Sequence, residues 1–581
     1  MLIERAGKER CLTTKPADNW PVVRAALGEA MRAGAWRIAG LVRPPLWRRM
    51  PTRLLFAPQD LRGTDAAVAA EMASGLYVFA DRHPPAMPGG SPFEIEAPSP
   101  AWAEELYGFG WLRDLRAAGS EQATALARSL TLVALRSPRR VLDRGVARQP
   151  AVAARRVISM LAHSPLLLKD ADHDFHRRYL RRIGRDAARL RRAMRDAREP
   201  SARLAAIVGF AYAGLACAGL EQLVWPTTRR LEAELERLVL AEDAPLARNA
   251  SALAALLLDL LPLRLLYAGR SIEVPAGLDR TVERALRILA TLRHGGGDLA
   301  LFNGTGPTRP ADLALLFSGG RDAEAEDSAP GYVRMAAEGT LVLADIGGTP
   351  PLGLSAGAHA GPLAFELSSG AHRIVVNAGA PPHPGPATEA ARRTAAHSTL
   401  VLAGESAGCP IGRDAAGAGW AASSLSRRFG PVLVGGARDV GHSRQITEDA
   451  LVLTAHHDGY RRLGAVHSRM LRLKLDGTEL EGEDAIRFSG RSAAPEAGAV
   501  LHFHLHPDVQ AREEEGGGGI VLDLPNGERW RFGAGDAVPR LEPSLFFAVT
   551  EGRRATRQIV LPLPPAQGEA GASVRWLFIR S

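Results

Sequence analysis

The feature that most constrains this chain is a change in hydrophobic periodicity near residue 320. From about 100 to 300, stretches such as "EQATALARSLTLVALR" and "SARLAAIVGFAYAGLACAGLEQL" place apolar residues three and four positions apart, which is typical of helices. After that point, stretches such as "GTLVLADIGG" and "SVRWLFIR" alternate with a period of two between Gly, Asp and Asn turns, which is typical of strands. The chain is therefore predicted to be helical first and β second.

The two patterns also predict how each half is organised. Several helices are apolar around most of their circumference, so we expect them to be buried on two sides, in a layered array or toroid. Short strands with no helices between them predict an antiparallel sandwich. A chain of 581 residues is too long for one core. We predict an N-terminal extension at 1–100 packed on a toroid domain at 101–318, and a β-sandwich at 319–581.

Composition narrows the choice of partner only a little. The formal charge is +9, but only four of the 72 basic residues are lysine. A bias toward Arg, Ala and Gly is what a GC-rich genome produces everywhere, so the charge is a weak sign of an acidic partner. The chain has no RNP, helix-turn-helix or zinc-finger pattern, so nucleic acid is not expected. The widely spaced Cys11, Cys217 and Cys409 predict neither a disulfide framework nor a CxxC metal knuckle.

Targeting signals are weak in this sequence. The start, "MLIERAGKERCLTTKPADNW", has no apolar stretch and no small-residue cleavage site, so a secretory signal is not predicted. Residues 28–50 are amphipathic and basic and break at Pro44-Pro45. They could touch a membrane surface, although a packed helix is the expectation. The chain has no run of about 18 apolar residues, so no membrane-spanning segment is predicted.

The side chains that could carry chemistry are mainly histidines, because the chain has no G-x-S-x-G elbow, P-loop or H-E-x-x-H motif. His163, in "MLAHSPLLL", lies at a helix boundary. His359 and His397 each precede a predicted strand, and Asn377 ends another. Two His and an Asn from adjacent strand ends could bind a metal or hold a loop.

Three further histidines, His502, His504 and His506, alternate in "VLHFHLHP". On a strand they share one face, but the outer two are about 13 Å apart. Zn–N bonds are only about 2.1 Å long, so one ion cannot take all three. We interpret them as residues on the face of a strand.

Several stretches resemble the heparinase II/III-like family of polysaccharide lyases. They include "AHAGPLAFELSSGAHRIVVNAG", "RRTAAHSTLVL", "DGYRRLGAVHSRMLRL" and "FHLHP", and, in the helical half, "SPFEIEAPSPAWAEELYGFGWLRDL" and "LARNASALAALLLDLLPLR". The resemblance implies an incomplete (α/α) toroid followed by an antiparallel β-sandwich. It also implies β-elimination on an acidic polysaccharide of the glycosaminoglycan type. That reaction needs a group that neutralises the uronate carboxylate, a base for the C5 proton, and an acid for the leaving oxygen.

The resemblance places the family's catalytic residues on positions that match only in part. The toroid Asn-His pair falls on Ala162 and His163, so the His is kept and the Asn is not. The toroid Tyr falls near Ala252, and the first His of the sandwich motif falls on Gly357. The candidates left for catalysis are His163, Arg248, Asn249, Tyr332 and Tyr460.

These candidates have distinct expected roles. His163 would act beside the carboxylate or as the base, and Arg248 and Asn249 would meet the uronate, since Arg pairs bidentately with carboxylates. Tyr332 or Tyr460 would supply the missing phenol. We expect His163, Arg248 and Asn249 to converge in one groove that the edge of the sandwich closes.

The resemblance also implies a structural zinc held by His359, Asn377 and His397, with Asn377 replacing the family's Asp. Loss of a negative ligand weakens a Zn²⁺ site. We therefore expect no zinc or weakly bound zinc, with His397 hydrogen-bonded to Asn377.

Two functions remain open. The first is a lyase that acts on a uronate-containing acidic glycan. The alternative is a catalytically degenerate lyase fold that binds an acidic cell-envelope glycan, and the residues Ala162, Ala252 and Gly357 motivate it. The resemblance implies the periplasm or cell envelope, whereas the absence of an export signal leaves the cytoplasm as the alternative.

Overall fold

The structure is a computed structural model that describes residues 50–581, except 86–88, 138–139, 198, 243, 319–322, 413–424, 427–428, 489–497, 516–517, 536, 551 and 566–570. Cys11 and nearly all of the helix expected at 28–50 lie outside the described residues.

Thirteen α-helices lie within the described residues, twelve of them before the first strand. They are α1 (Ala66–Ala73), α2 (Pro100–Gly108), α3 (Leu112–Ala118), α4 (Glu121–Arg136), α5 (Pro150–Ala162), α6 (Ser164–Leu168), α7 (His173–Asp196), α8 (Pro200–Ala216), α9 (Val224–Leu235), α10 (Ala250–Gly269), α11 (Ala276–Thr291), α12 (Pro310–Leu316) and α13 (Pro386–Ala391). Polar caps set several starts: the side chains of Ser120, Asp172 and Asn249 accept hydrogen bonds from the first turns of α4, α7 and α10.

The helical half is built around α8, which packs against α5, α7 and α9. Nearly every residue of α8 from Ala206 onward is buried, as expected for a helix apolar on all sides. A Cβ on Gly209 would lie 2.7 Å from the Cβ of Ala154 on α5, so only glycine allows this close approach. Of the described helices, only α10 is long and apolar enough to cross a membrane, and more than half of it is buried inside the protein.

The second half contains nineteen strands within the described residues. They are β1 (Ser328–Ala329), β2 (Tyr332–Ala337), β3 (Thr340–Asp345), β4 (Phe365–Ser369), β5 (His372–Val376), β6 (Leu400–Leu402), β7 (Gly408–Ile411), β8 (Val432–Gly435), β9 (Val440–Ile446), β10 (Ala450–His457), β11 (Ala465–Lys474), β12 (Glu479–Phe488), β13 (Ala499–Leu505), β14 (Gln510–Glu513), β15 (Gly519–Asp523), β16 (Arg529–Gly533), β17 (Arg540–Phe546), β18 (Arg554–Pro562) and β19 (Ala572–Arg580).

These strands form two large antiparallel sheets and one hairpin. The first sheet has the order β1-β2-β3-β4-β5-β13-β18-β17, with β6 also paired to β13. The second has the order β14-β15-β16-β19-β12-β11-β10-β9, and β7 pairs with β8. Aromatic side chains fill the space between the large sheets: Phe365 stacks on Trp576 with ring centroids 5.4 Å apart, and Phe503 packs edge-on against Trp576.

The predicted order of a helical half followed by an antiparallel β half is confirmed. The join lies between the end of α12 and the start of β1, inside the segment 315–332. Domain boundaries at 100 and 318 stay predictions. His502 and His504 lie on β13 and are buried, whereas His506 directly follows the strand. The Nδ1 of His504 is 2.8 Å from the Oγ of Ser544.

Candidate functional site

A groove of about 320 Å³ lies where the helical half meets the first sheet. The N-termini of α8 and α10 form one wall, and loops of the β half form the other. The volume is in the range of sites for small molecules. The residues that line it are Glu199, Pro200, Ser201, Leu238, Pro245, Leu246, Arg248, Asn249, Ala252, Asn303, Pro350, Gly353, Leu354, Ala356, Gly357, Ala358 and Pro431.

Arg248 lines the groove, but its guanidinium is already paired. Its Nη2 lies 2.6 Å from the Oδ1 of Asp345, and its Nη1 donates to the carbonyl oxygen of Gly348. A Cβ at Gly347 would lie 2.4 Å from the Cζ of Arg248, so the backbone of the loop packs directly on the guanidinium. Burial raises the pKa of the Asp345 carboxyl, and Arg248 opposes that rise. Arg248 was expected to bind the carboxylate of a uronate. Its guanidinium instead pairs with Asp345 inside the protein.

Asn249 lines the same wall and caps α10. Its Oδ1 accepts hydrogen bonds from the amide of Ala252 at 2.9 Å and from the hydroxyl of Ser251 at 3.1 Å. The amide Nδ2 therefore points the other way: Cβ atoms on Gly304 and Gly357 would lie 2.8 Å and 3.4 Å from it. Asn249 Nδ2 and exposed Gly357 thus face each other across the groove.

Ala252 and Gly357 both line the groove. These are the positions at which the family resemblance places a catalytic Tyr and a catalytic His. The structure thus brings the two positions together, but neither carries a side chain that can transfer a proton.

Neither candidate tyrosine lines the groove. The Tyr332 hydroxyl donates to the carbonyl oxygen of Arg248 at 2.6 Å and accepts from the Nδ2 of Asn303 at 2.9 Å. Burial raises the pKa of the Tyr332 phenol. The hydroxyl of Tyr460 donates to the carbonyl oxygen of Leu400 at 2.7 Å, and both tyrosines are fully buried. The expectation that one of them supplies a phenol to the groove is wrong, because backbone carbonyls already hold both hydroxyls.

His163 follows the last residue of α5, as predicted, but it does not line the groove. Burial lowers its pKa to about 4, and the nearby charges that act on it include Asp60 and Arg155. Arg155 pairs with Asp259 of α10 at 2.6 Å. Asp259 is about 15 Å along α10 from Asn249, given a rise of about 1.5 Å per residue. The predicted convergence of His163 with Arg248 and Asn249 is therefore wrong, whereas Arg248 and Asn249 do share one groove.

His359 and His397 lie side by side, as predicted for the metal set. The Nδ1 of His397 is 2.8 Å from the carbonyl oxygen of Arg393 and so carries the proton. Its Nε2 then accepts from the Nδ1 of His359 at 3.1 Å. Burial lowers the pKa of His397 to about 4 and that of His359 well below its usual value. The pair is thus neutral and held by one hydrogen bond between the two rings and one from His397 to the backbone.

Asn377 does not join this pair, which makes the expected bond from His397 to Asn377 wrong. The Oδ1 of Asn377 accepts from the amide of Ser398 at 3.0 Å, and its Nδ2 donates to the Oε1 of Glu366 at 3.0 Å. With Asn377 engaged elsewhere, the two imidazoles supply only two of the ligands that a tetrahedral zinc site needs. Across the described residues, no group of three or more His, Cys, Asp or Glu is arranged to hold a metal.

Sequence reasoning did not single out three polar residues of the groove: Glu199, Ser201 and Asn303. The hydroxyl of Ser201 donates to the Oε1 of Glu199 at 2.9 Å. Pro200 begins α8, and a proline at the first helical position is a recognisable signal of a helix start. That signal could have pointed to Glu199, since the groove is built from helix N-termini.

The fold and groove define a class: a helical toroid joined to an antiparallel β-sandwich, with the candidate site at the junction. The chain belongs to the heparinase II/III-like family, whose model "Heparinase II/III-like, C-terminal" matches residues 322–577. Among curated relatives, "FtsZ-localized protein C" of Caulobacter vibrioides (strain NA1000 / CB15N) is 31% identical over 587 residues, covering 97% of this chain and 96% of that protein.

Solved structures show the same architecture. The match to the crystal structure of heparinase III covers 98% of this chain and 93% of that chain, with a TM-score of 0.69 and 11% sequence identity. The match to a mutant of heparan sulfate lyase HepC from Pedobacter heparinus covers 88% of this chain and 82% of that chain, with a TM-score of 0.59 and 13% sequence identity. At these identities the likeness establishes the polysaccharide-lyase fold.

Proposed function

We propose that this protein is a lyase-fold protein that binds a saccharide in the groove and does not cleave it by β-elimination. The observation that carries the proposal is the pair Ala252 and Gly357, which line the groove where family enzymes would present proton-transferring side chains. β-Elimination needs a base, an acid and a group that neutralises the uronate. His163, Tyr332 and Tyr460, the candidates for the first two roles, lie outside the lining.

The charges of the groove support the same proposal. Arg248 and Glu199 are the two charged side chains among the lining residues. Asp345 neutralises Arg248, so the one cation among the described lining residues is not free to meet a uronate carboxylate. Abstraction of a C5 proton puts a second negative charge on the uronate, and a catalytic site must offset that charge with cations or hydrogen-bond donors. With its lining cation already paired, the groove fits an uncharged saccharide better than a uronate. The acidic polysaccharide expected from the family is therefore included in the test.

The test measures binding and cleavage on the same samples. Purified full-length protein is titrated by calorimetry with a panel of oligosaccharides: polyglucuronate, heparan sulfate, alginate and uncharged chitooligosaccharides. Cleavage is followed by the ultraviolet absorbance of the unsaturated uronate, with an active heparinase as positive control. We expect binding without new absorbance.

A matched pair of variants locates the binding. Ala252→Trp fills the groove, whereas Ala255→Trp places the same side chain at an exposed position of α10 outside it. We expect the first to abolish binding and the second to preserve it. Sustained production of unsaturated uronate, or binding insensitive to Ala252→Trp, would contradict the proposal and favour the lyase or a different site.

A second candidate role comes from the relative named FtsZ-localized protein C, which matches nearly the whole chain. We propose that this chain also localises with FtsZ. A fluorescent fusion imaged in its own host beside labelled FtsZ tests this, and the same images test the expected compartment, envelope or cytoplasm. A signal that is diffuse or uniform along the envelope while FtsZ is localised would contradict the proposal.

A further inference from the structure

A second cleft lies on the outer face of α7 and shares no lining residue with the groove. Its volume is about 100 Å³, and its polar wall consists of Ser137, Asp143 and five arginines: Arg140, Arg178, Arg181, Arg182 and Arg185. Five guanidiniums at one small cleft need an explanation, because like charges at short range repel.

The sequence of α7 creates this arrangement. Arg181 and Arg185 are four residues apart in "HRRYLRRIGRDAARL", so they lie one above the other on the exposed face of the helix. Arg140 reaches the cleft from the connection between α4 and α5, where its backbone is left-handed with φ of 50°. Arg182 points inward, and its side chain is only 5% exposed.

The neighbouring carboxylates are used by other arginines. Asp143 accepts from Arg182 at 2.9 Å and from Arg189 at 2.8 Å. In the same region Asp174 pairs with Arg136, Arg177 and Arg178, and Asp186 with Arg156, Arg182 and Arg189.

Two features of the cleft are thereby left without a partner. Within the described part of the chain, Arg140, Arg181 and Arg185 have no ion-pair partner, and the buried Nε of Arg182 has no hydrogen-bond partner. All four of these arginines line the same small cleft.

The donors exceed what a carboxylate can use. A guanidinium cannot relieve repulsion by losing its proton, so a bound anion is the group that would offset the charge. The planar fork of the guanidinium matches the oxygens of phosphate. A carboxylate offers two oxygens in one plane, whereas a phosphoryl group offers three that diverge toward donors on several sides. A cleft of about 100 Å³ has room for one tetrahedral oxyanion.

We propose that this cleft is a binding site for a phosphoryl group. Arg181 and Arg185 hold it from the helix face, Arg140 closes over it from the loop, and Arg182 donates from below through Nε. The group can belong to a soluble phosphate compound or to a phospholipid headgroup, since both present the same oxygens to the cleft.

The test uses the full chain and inorganic phosphate as the probe. Calorimetry and thermal unfolding compare phosphate with chloride at matched ionic strength, so that general screening cancels. The double variant Arg181→Gln/Arg185→Gln removes the two donors on the exposed face of α7. Arg192→Gln is the matched control, because it removes one exposed arginine from the same helix outside the cleft. We expect the affinity for phosphate to fall roughly tenfold for each arginine removed and to be unchanged in the control.

Two further measurements identify the source of the group and the role of geometry. Cosedimentation with vesicles of phosphatidylcholine, with and without phosphatidic acid, separates a lipid headgroup from a soluble phosphate. Arg181→Lys/Arg185→Lys keeps the charge but loses the fork, and we expect it to bind more weakly than the wild type. The proposal is overturned if neither phosphate nor phosphatidic acid binds the wild type, or if Arg192→Gln loses as much as the double variant.

Discussion

The Nη2 of Arg248 lies 2.6 Å from the Oδ1 of Asp345, and this ion pair joins the start of α10 to the end of β3 beneath the groove. Both side chains are less than one tenth exposed. The pair thus links the helical and sheet halves of the chain and, at the same time, removes the free cation that a uronate would require.

Breaking this pair should destabilise the protein. Arg248→Met leaves the Asp345 carboxylate buried and unpaired, so we expect the free energy of unfolding in urea to fall by about 3–5 kcal/mol. Arg248→Met/Asp345→Leu removes both charges and should recover most of the loss. The control is Arg575→Met, whose pair with Glu483 is largely exposed and should matter by less than about 1 kcal/mol. Additive losses in the double variant would show that the two residues do not interact.

A side chain at Gly357 should block the groove without disturbing the fold. A Cβ there would meet only the Nδ2 of Asn249, at an ordinary 3.4 Å. We expect Gly357→His to unfold at the same temperature as the wild type and to bind saccharide about tenfold more weakly. Gly304→Ala is the contrast, because its φ is +84° and its Cβ would lie 2.7 Å from the carbonyl oxygen of Gly357. Gly304→Ala should therefore lower the unfolding temperature. An unchanged affinity for saccharide in Gly357→His would show that Gly357 does not line the binding site.

Restoring the family's carboxylate at position 377 should cost stability. Asn377→Asp removes the hydrogen bond that Nδ2 donates to Glu366 and puts two buried carboxyl groups together. We expect a loss of about 1–3 kcal/mol, which grows as the pH rises and both groups ionise. Unfolding measured with and without zinc, and elemental analysis of the wild type, check this. Stoichiometric zinc in protein purified without chelator would contradict the interpretation that His359 and His397 form a neutral, metal-free pair.

His163 should make the protein sensitive to mild acid. Burial lowers its pKa to about 4, from an ordinary value of about 6.5. The unfolded chain therefore binds a proton that the folded chain refuses, so stability falls as the pH drops from about 6.5 to about 4 and levels off below that range. The loss due to this residue is about 3 kcal/mol. Denaturation across this range should show a shallower decline for His163→Gln, and no difference for His173→Gln at an exposed position of α7.

Local signals in the sequence were enough for the architecture. The change of period near residue 320 separates the helical half from the β half, and the resemblance placed Ala252 and Gly357 at positions that the fold does bring together. Asn249, singled out as a polar residue of the cleft, lies there as the N-cap of α10.

Pairings between distant residues were not predictable in the same way. Nothing near Arg248 indicates that Asp345, 97 positions later, takes its guanidinium. The helix boundary at His163 was correct, but a boundary does not tell which end of a helix faces the sandwich. Asn377 was singled out from the sequence, but its partner was not. Glu366 comes within hydrogen-bond distance of Asn377 only because β4 pairs with β5.

The groove has one wall from each half of the chain, so it exists only while the halves are docked. A ligand held there acts as a noncovalent crosslink, and at a hundred times its dissociation constant it would oppose separation of the halves by about 2.7 kcal/mol. A force that separates the two halves must also release the ligand. A higher concentration of ligand, in turn, makes the contact between the halves harder to break. Binding of a ligand in the groove and docking of the two halves are thereby coupled, and each stabilises the other.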